Sequence, residues 1–442
     1  MLAPAEANPF SPGFGRTPYS LVGRDDLLAD LGGGLAAGPR DPRYASLLMG
    51  VRGSGKTVVL NELEDRAARQ GWVILSADGS SKGLPGRIAN AIAAARGDSP
   101  ALGPTAESQQ GLRLQSLGLR LGVLSATWHA SGSPQPRPHA SMGEALASLA
   151  RAAAEAGTSV LLTVDELHAV DREEARRLSG DIQHIAGRAG LPLAFVGAGL
   201  LEMRYTLLAD TKITFMQRCE RYEMHPLNEA DAAVGLRIPI GDAGGDITSE
   251  ALRTASGIVG ESGHGPYRLQ VLGHTLWRMA GAPERPIDAP AVEQSRPVVE
   301  AAVARSICAP AWHELSDSAQ SYLAAVAAAG HTPPSDLARS VAERAGLSAR
   351  QAANIRRRLV LAGYLAQGPD GAAGLTDLVP GGVIRQEAPE EFGHYAAGST
   401  RRVPASASDT AAAGASCRKW MPRARAHCVL PSGHSGRCRS RL

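Results

Sequence analysis

One run of eight residues, from Gly50 to Thr57, has the residue types and the spacing needed to bind a phosphate. Its sequence, GVRGSGKT, fits the P-loop pattern at every position. Glycines let successive backbone N–H groups curl around a phosphate, and the start of the following helix adds partial positive charge. The lysine can reach the outer phosphates and the threonine hydroxyl can ligate Mg²⁺; the alternative is a glycine-rich turn with an incidental lysine. The predicted nucleotide-binding residues of this run are Gly50, Gly53, Ser54, Gly55, Lys56 and Thr57.

Two adjacent acids follow a second apolar run further along the chain. The run at 160–164 ends in Asp165 and Glu166. A buried parallel strand would carry Asp165 to the carboxyl edge of a sheet, beside the phosphate loop, where it can hold Mg²⁺ through water. Glu166 is then placed to polarise an attacking water molecule. The alternative interpretation is a pair of solvated acids that cap the next helix.

Short apolar runs alternate with helical patterns through the first half of the chain. This alternation is typical of a parallel sheet with helices on both faces. Residues 97–140 interrupt it with Pro, Gly and Ser around a strand-like stretch at 112–125, which we interpret as an extra strand or a hairpin. The predicted strands are 44–51, 72–77, 159–164 and 191–197.

Four features together resemble the AAA+ and STAND-type ATPases, and among these the actinobacterial branch related to archaeal replication initiators. They are the segment LVGRDDLL at 21–28, the phosphate loop, the Asp165–Glu166 pair and the strand at 191–199. The resemblance covers residues 20–385 and implies an α/β P-loop NTPase fold, a helical lid, ATP and Mg²⁺ as cofactors, and a homo-oligomer formed through the ATPase domain. In that family the Val-Gly-Arg segment lies against the adenine, so the resemblance makes Val22 and Gly23 nucleotide contacts.

The chain departs from this family at the end of its fourth strand. Family members usually carry a polar sensor there, whereas this chain has Gly197 followed by Ala and Gly. We therefore expect slow hydrolysis, as in a nucleotide switch. Arg218 and Arg221 lie in a segment where the family often carries an arginine for a neighbour's γ-phosphate, and a surface Arg–Glu pair is the alternative. Arg268 falls near the position of a second sensor arginine on the lid helix.

Residues 310–385 have the pattern of a winged helix, with three helices followed by a short hairpin. Ser348 provides an N-cap for the third helix, and the hairpin strands are predicted at 364–367 and 382–385. In a helix-turn-helix this third helix enters the major groove, where Arg and Asn side chains read base edges. The alternatives are a winged helix that contacts protein and a basic helix that is only solvated. The predicted DNA-contacting residues are Arg350, Gln351, Asn354, Arg357 and Arg358.

Residues 417–442 combine three cysteines and two histidines with seven basic residues. Three thiolates and one imidazole can form a tetrahedral Zn²⁺ site, and the metal would supply the stability that so short a segment lacks. The alternative is a disordered basic tail with scattered thiols. The basic charge favours nucleic acid, with strong salt dependence. The candidate zinc ligands are Cys417, Cys428, His434 and Cys438.

The composition separates a mildly acidic body from a basic tail. The 442 residues have a formal charge of +3, but residues 393–442 carry nine Arg and Lys against one acid. No apolar run approaches the roughly 18 residues of a membrane helix, and the first residues lack a signal-peptide pattern. The five cysteines are then expected to be thiols or metal ligands. We therefore expect a cytoplasmic protein with no membrane partner.

The sequence as a whole predicts an ATPase that binds ATP, hydrolyses it slowly, and controls binding to duplex DNA through its winged helix. The alternative is a STAND-type signalling switch that acts on a protein partner without direct DNA binding. The predicted divisions are a flexible arm at 1–20, the ATPase domain at 21–225, a helical lid and connector at 226–300, the winged-helix domain at 301–386, a disordered linker at 387–416 and the basic tail at 417–442.

Overall fold

The structure is a computed structural model. It describes residues 8–13, 18–19, 21–96, 141–260, 265–281, 285–329, 334–367, 373–396, 420–421 and 426–427. The strand-like stretch at 112–125 lies outside the described residues, and so do the four candidate zinc ligands. Among the described residues, no helix has both the length and the apolar character to cross a bilayer.

A five-stranded parallel sheet with the order β2-β3-β4-β1-β5 occupies the first half of the chain. The strands β1, β3 and β4 are buried almost throughout, because helices cover both faces of the sheet. The parallel sheet predicted from the sequence is confirmed, and the four strands predicted at 44–51, 72–77, 159–164 and 191–197 lie in it. The edge strand β5 is an addition, since its sequence ERYE has no apolar run to reveal it. The strands are β1 (Ala45–Met49), β2 (Val73–Asp78), β3 (Val160–Asp165), β4 (Leu193–Gly199) and β5 (Glu220–Glu223).

Two apolar clusters hold the helices to the two faces of this sheet. One cluster joins α1 and α2 to the sheet, and the other joins α3, α4 and α5 to the opposite face. The carboxyl ends of β1, β3 and β4 therefore meet at one edge, where the loops that follow them lie side by side. The helices are α1 (Asp25–Ala37), α2 (Lys56–Arg69), α3 (Leu84–Ala95), α4 (Met142–Glu155), α5 (Arg172–Ile182) and the short α6 (Thr214–Gln217).

The helices that follow the sheet share one continuous apolar core with the C-terminal helices. Part of the connector predicted before residue 300 is helical, and α10 runs through that boundary. Pro290 is tolerated because it lies in the first turn, where Asp288 caps the helix by accepting from the Ala291 N–H at 2.9 Å, whereas Pro297 lies inside the helix. These helices are α7 (Glu229–Asp242), α8 (Ser249–Gly260), α9 (Gly265–Met279), α10 (Ala289–Val303) and α11 (Ala309–His313).

The C-terminal part contains three helices followed by a two-stranded antiparallel hairpin. The strand predicted at 382–385 is wrong, because that segment forms α15 with the adjacent residues Val383 and Ile384 both buried. A further helix, α16, begins within the predicted disordered linker, where it packs on α12. The elements are α12 (Asp317–Ala329), α13 (Pro334–Arg344), α14 (Ala349–Leu361), β6 (Leu365–Gln367), β7 (Ala373–Leu375), α15 (Gly381–Glu387), α16 (Pro389–Ala396), and the short β8 (Trp420–Met421) and β9 (Ala426–His427).

Residues 8–13 pack against helix α9, although the sequence predicted a flexible arm there. Phe10 is only 2% exposed, and a Cβ placed on Gly273 would lie 2.4 Å from its ring. The Asn8 side-chain amide donates to the carbonyl of His274 at 3.1 Å. One buried aromatic ring and side-chain hydrogen bonds therefore fix this segment. Neither produces a periodic sequence pattern, which explains why the sequence did not indicate this contact.

Candidate functional site

The phosphate loop connects β1 to α2 and depends on its glycines. Gly55 caps α2 with φ 91°, a left-handed conformation that favours glycine. A Cβ on Gly50 would lie 2.7 Å from both Met224 Cβ and Ser54 Oγ, so a larger residue would force the loop apart. The backbone therefore has the close turn and the exposed helix start that a phosphate site requires.

Lys56 lies at the bottom of this loop and is only 7% exposed. Its Nζ donates to the carbonyls of Gly50 at 3.0 Å and Val51 at 2.9 Å. Burial lowers the pKa of Lys56 to about 8, although the nearby Glu166 and Asp165 oppose this shift. The ammonium group therefore remains mostly charged at neutral pH, and it is held only by carbonyls that a phosphate can replace.

The two residues predicted to hold Mg²⁺ come together at the edge of the sheet. Thr57 Oγ1 donates to Asp165 Oδ2 at 2.6 Å, and the other carboxylate oxygen accepts the Glu166 backbone N–H at 2.8 Å. A hydroxyl and a carboxylate are the hard oxygen ligands that Mg²⁺ prefers when phosphates and waters complete its coordination. The pair therefore fits a magnesium ion.

Glu166 adopts a left-handed backbone conformation with φ 50°, and among the described residues it is the only non-glycine with positive φ. Such a conformation costs on the order of 1–3 kcal/mol and is typical of functional sites. Its side chain lines the cavity described below. Burial, and then the charge of Asp165, raises the pKa of the Glu166 carboxyl. Gly79 permits this geometry, since a Cβ there would lie 2.7 Å from the Glu166 carbonyl.

His168, which the sequence analysis missed, contacts the same acid. It lies in the single 3₁₀ turn Leu167–Ala169, and its Nδ1 is 3.2 Å from Glu166 Oε2. The side chain is 9% exposed, and burial lowers the pKa of His168 to about 4, with help from the charges of Lys56 and Arg52. The imidazole is therefore neutral at physiological pH. A histidine two residues after the catalytic candidate was the available signal.

The buried imidazole should make stability fall in mild acid. At pH values between the ordinary pKa of 6.5 and the folded value of about 4, His168 is protonated in the unfolded chain but neutral in the folded one. Stability is thus fully present above pH 6.5 and declines as the pH falls. At pH 5 we expect a loss of about 2 kcal/mol in unfolding free energy that His168→Asn does not show. Urea denaturation of both proteins at pH 7.5 and pH 5 measures this; equal losses would contradict it.

A cavity of about 430 Å³ extends from the phosphate loop to the helices that follow the sheet. One end is polar and carries the loop and Glu166, while the other is mainly apolar, as a nucleotide requires for its phosphates and its base. Val22, a predicted nucleotide contact, lines this cavity, and Gly23 follows it in the chain with φ 67°. The other residues around the apolar end are Pro12, Pro18, Leu21, Leu227, Pro266, Tyr267, Leu269, Ile307 and Pro310.

Residues 20–193 match the family described as the AAA ATPase domain. The chain contains an AAA ATPase domain. No curated protein matches the chain at a significant level. Similar solved structures include the ORC2 protein of Aeropyrum pernix in its ADPNP–ADP complexes, at 16% identity and a TM-score of 0.58, covering 87% of this chain and 98% of that one. A Walker-type ATPase of Pyrococcus abyssi has 14% identity and a TM-score of 0.56, covering 83% and 96%. At these identities the likeness shows the fold, which extends beyond the AAA domain.

Arg24 is a second residue that the sequence analysis missed within the AAA domain. It is only 8% exposed, and its guanidinium donates to the carbonyls of Ser54 at 3.2 Å and His225 at 2.8 Å. These bonds tie the segment that carries Val22 to the phosphate loop and to the end of β5. In the sequence Gly23-Arg24, a predicted nucleotide contact is therefore followed directly by an arginine with a structural role.

Three other arginines predicted for the site lie away from the cavity of the AAA domain. Arg268 is on α9, and its neighbours Tyr267 and Leu269 line the cavity, whereas Arg268 is not among the described lining residues. Arg218 precedes the edge strand β5 and Arg221 lies in it, and both are exposed. None of the three is among the described residues that line the cavity.

The residues predicted to contact DNA are all exposed on α14, but two of them have other contacts. Gln351 Oε1 accepts from the Ser348 N–H at 3.0 Å in a capping box, so its amide is engaged in starting the helix. Arg358 lines a second cavity, of about 310 Å³, between α14 and the AAA domain. The other three residues predicted to contact DNA are Arg350, Asn354 and Arg357.

Arg52 of the phosphate loop connects the AAA domain to the C-terminal helices. Its Nη2 lies 2.6 Å from both carboxylate oxygens of Glu314, the residue that follows α11. Arg52 lines the first cavity and the second cavity alike. Because the Glu314 side chain is 51% exposed, such a pair contributes at most about 1 kcal/mol. The contact is therefore weak enough to be broken by a competing charge.

Proposed function

We propose that this protein binds MgATP in the first cavity, hydrolyses it slowly, and couples its nucleotide state to DNA binding by the C-terminal helices. In this proposal the base lies at the apolar end beside Val22, and Lys56 binds the outer phosphates. Thr57 and Asp165 hold Mg²⁺, which neutralises developing charge when bound, and Glu166 polarises the attacking water. The ADPNP–ADP complexes of the similar ORC2 protein support a nucleotide as the ligand.

The observation that carries the coupling is the position of Arg52. This residue lines the nucleotide cavity on one side and pairs with Glu314 on the other. Phosphates in the cavity attract the guanidinium and so compete with the Glu314 carboxylate. A ligand shifts an equilibrium only through its different affinities for the two arrangements, and this competition supplies such a difference. The shift is modest, because the pair is half-exposed.

The DNA-binding part of the proposal treats residues 309–375 as a winged helix with α14 as its recognition helix. Arg350, Asn354 and Arg357 are spaced four and three residues apart and thus lie on one face of the helix. Ile355 and Leu359, which line the cavity against the AAA domain, lie on a different face. The face suited to reading base edges is therefore exposed while the helix is packed on the AAA domain.

Duplex DNA binding followed by anisotropy, with and without MgATP at two salt concentrations, tests this function. Truncation after Ala396 removes the basic tail but keeps α16, which packs on α12. We expect nucleotide-dependent binding that survives this truncation. Arg357→Ala should weaken it about tenfold, because a base-edge contact is worth 1–3 kcal/mol. Arg237→Ala, which removes an exposed arginine from α7, is the matched control.

Glu314→Gln should reduce the effect of nucleotide on DNA binding. The change removes the partner of Arg52 and leaves the nucleotide cavity intact, so ATP affinity should stay within about twofold of wild type. We expect the ratio of DNA dissociation constants with and without MgATP to fall about threefold. Glu293→Gln is the control, since Glu293 pairs with Arg296 on the same helix at 3.2 Å. An unchanged ratio in Glu314→Gln would exclude the Arg52 route.

A second candidate function is a switch that acts on a protein partner. It is supported by the second cavity, between α14 and the AAA domain, because separation of the two would expose its apolar lining, which includes Ile355 and Leu359, to another protein. This function predicts no DNA binding in any nucleotide state, together with nucleotide-dependent protease cleavage around α14.

Exposed Arg218 and Arg221 could serve a neighbouring subunit in either case. Mixing the Arg221→Ala and Lys56→Ala proteins tests this, because hydrolysis should recover if Arg221 of one subunit acts at the site of its neighbour.

A further inference from the structure

The carboxyl end of β4 consists of small residues because the turn after β3 occupies the adjacent space. A Cβ on Gly197 would lie 2.6 Å from Leu167 Cδ2. A Cβ on Gly199 would lie 3.2 Å from the backbone nitrogen of His168 and 3.5 Å from its Cβ. A backbone atom cannot move aside as a flexible side chain can. The end of β4 thus has no polar side chain of its own, and His168 lies against it.

The imidazole of His168 connects this end of β4 to the acid at the cavity. Its Nδ1 is 3.2 Å from Glu166 Oε2 and 3.4 Å from the backbone nitrogen of Leu200, the residue after β4. One ring nitrogen of a neutral histidine either donates or accepts, but cannot do both. The Nδ1–H form donates to the carboxylate, and the other tautomer accepts from the Leu200 N–H. Burial keeps the ring neutral and so preserves this choice.

We propose that His168 is a positioning residue that, in its Nδ1–H form, orients the Glu166 carboxylate. The proposal rests on the proposed role of Glu166 in polarising water. Glu166 is held in a left-handed conformation, and its Oε2 has Nδ1 of His168 beside it. Without the imidazole, the Glu166 carboxylate would lose this contact, and the attacking water would be activated in fewer of the bound complexes.

Three substitutions of His168 separate positioning from packing. Asparagine places its amide where Nδ1 lies, glutamine places its amide near Nε2, and leucine removes the polar group while it fills the space. We expect His168→Leu and His168→Gln to lower kcat about tenfold, and His168→Asn to remain within about threefold of wild type. The affinity for a fluorescent ATP analogue should change less than twofold in all three, and thermal unfolding checks that each variant folds.

The result that would overturn the proposal is a kcat in His168→Leu equal to or above that of wild type. Equal losses in all three variants with matching losses of thermal stability would likewise overturn it, since they would indicate packing alone. In a Glu166→Gln background, His168→Leu should have no further effect, because there is no carboxylate to orient. If Glu166→Gln hydrolyses ATP at the wild-type rate, the proposed role of Glu166 is wrong. The order of kcat among the three His168 variants is measured independently of that result.

Discussion

Glu166→Gln should lower the rate of ATP hydrolysis by at least about a hundredfold, with ATP binding preserved. General-base catalysis contributes two to four orders of magnitude, and an amide cannot take the proton from water. Glutamine has nearly the same shape, so the left-handed turn and the packing against Gly79 remain. Removal of the Glu166 charge has two opposed effects on phosphate binding: it takes away a negative charge that repels phosphate, and it lowers the pKa of Lys56, which that charge raises. Phosphate release and nucleotide affinity, measured on the same preparation, give the two readings.

The control for this variant is Glu155→Gln, which neutralises an exposed acid at the end of α4 on the same domain. It should hydrolyse ATP at the wild-type rate. Wild-type hydrolysis by Glu166→Gln would remove Glu166 from the reaction and leave Asp165 as the acid to test. Loss of both binding and hydrolysis would indicate a damaged site, and would contradict the separation of roles proposed for the two acids.

Phe10→Ala should destabilise the fold by about 3–4 kcal/mol, the range for removal of a fully buried aromatic ring. The ring is 2% exposed and lies directly over Gly273, which has no side chain to fill the space that the ring leaves. ATP affinity should fall as well, because Ser11 and Pro12 of the same segment line the nucleotide cavity. Urea denaturation and nucleotide titration measure the two effects.

Tyr19→Ala provides the comparison for this prediction. Tyr19 is also an aromatic residue of the first twenty, but it is 59% exposed and contacts Asp242 only through its hydroxyl at 2.8 Å. Its loss should cost less than about 1 kcal/mol. A similarly small cost for Phe10→Ala, with unchanged ATP affinity, would mean that residues 8–13 are not docked on α9 in solution.

The contiguous parts of the site could be predicted from the sequence. The phosphate loop is a single run whose glycines, lysine and threonine act on one ligand, and Asp165 follows an apolar strand that can only end at the same edge. The parallel sheet followed from the alternation of apolar runs and helical patterns. In each case the signal and the structure it produces lie within a few residues of each other, so no tertiary information was needed.

The contacts that join separate segments could not be predicted in this way. Arg24 is explained only by the carbonyls of Ser54 and His225, which the fold brings to it. In the sequence, the absence of a polar side chain at Gly199 indicated that the polar sensor of this strand is missing. The structure shows His168 in the adjacent space. Similarly, the apolar pair at 383–384 fits a strand or a helix equally well until its packing is known.

The contact between residues 8–13 and α9 also has a consequence for the order in which the protein folds. Asn8 and His274 are 266 positions apart, and the whole sheet lies between them in the chain. Chains are synthesised from the amino end and their domains fold as units during synthesis. Residues 8–13 therefore leave the ribosome long before their binding surface exists, and Phe10 remains in solvent while the sheet is assembled. Closure of so long a loop is slow and entropically costly, which makes this contact one of the last to form. The apolar end of the nucleotide cavity is then completed by residues 8–13 only after the helices that follow the sheet are in place.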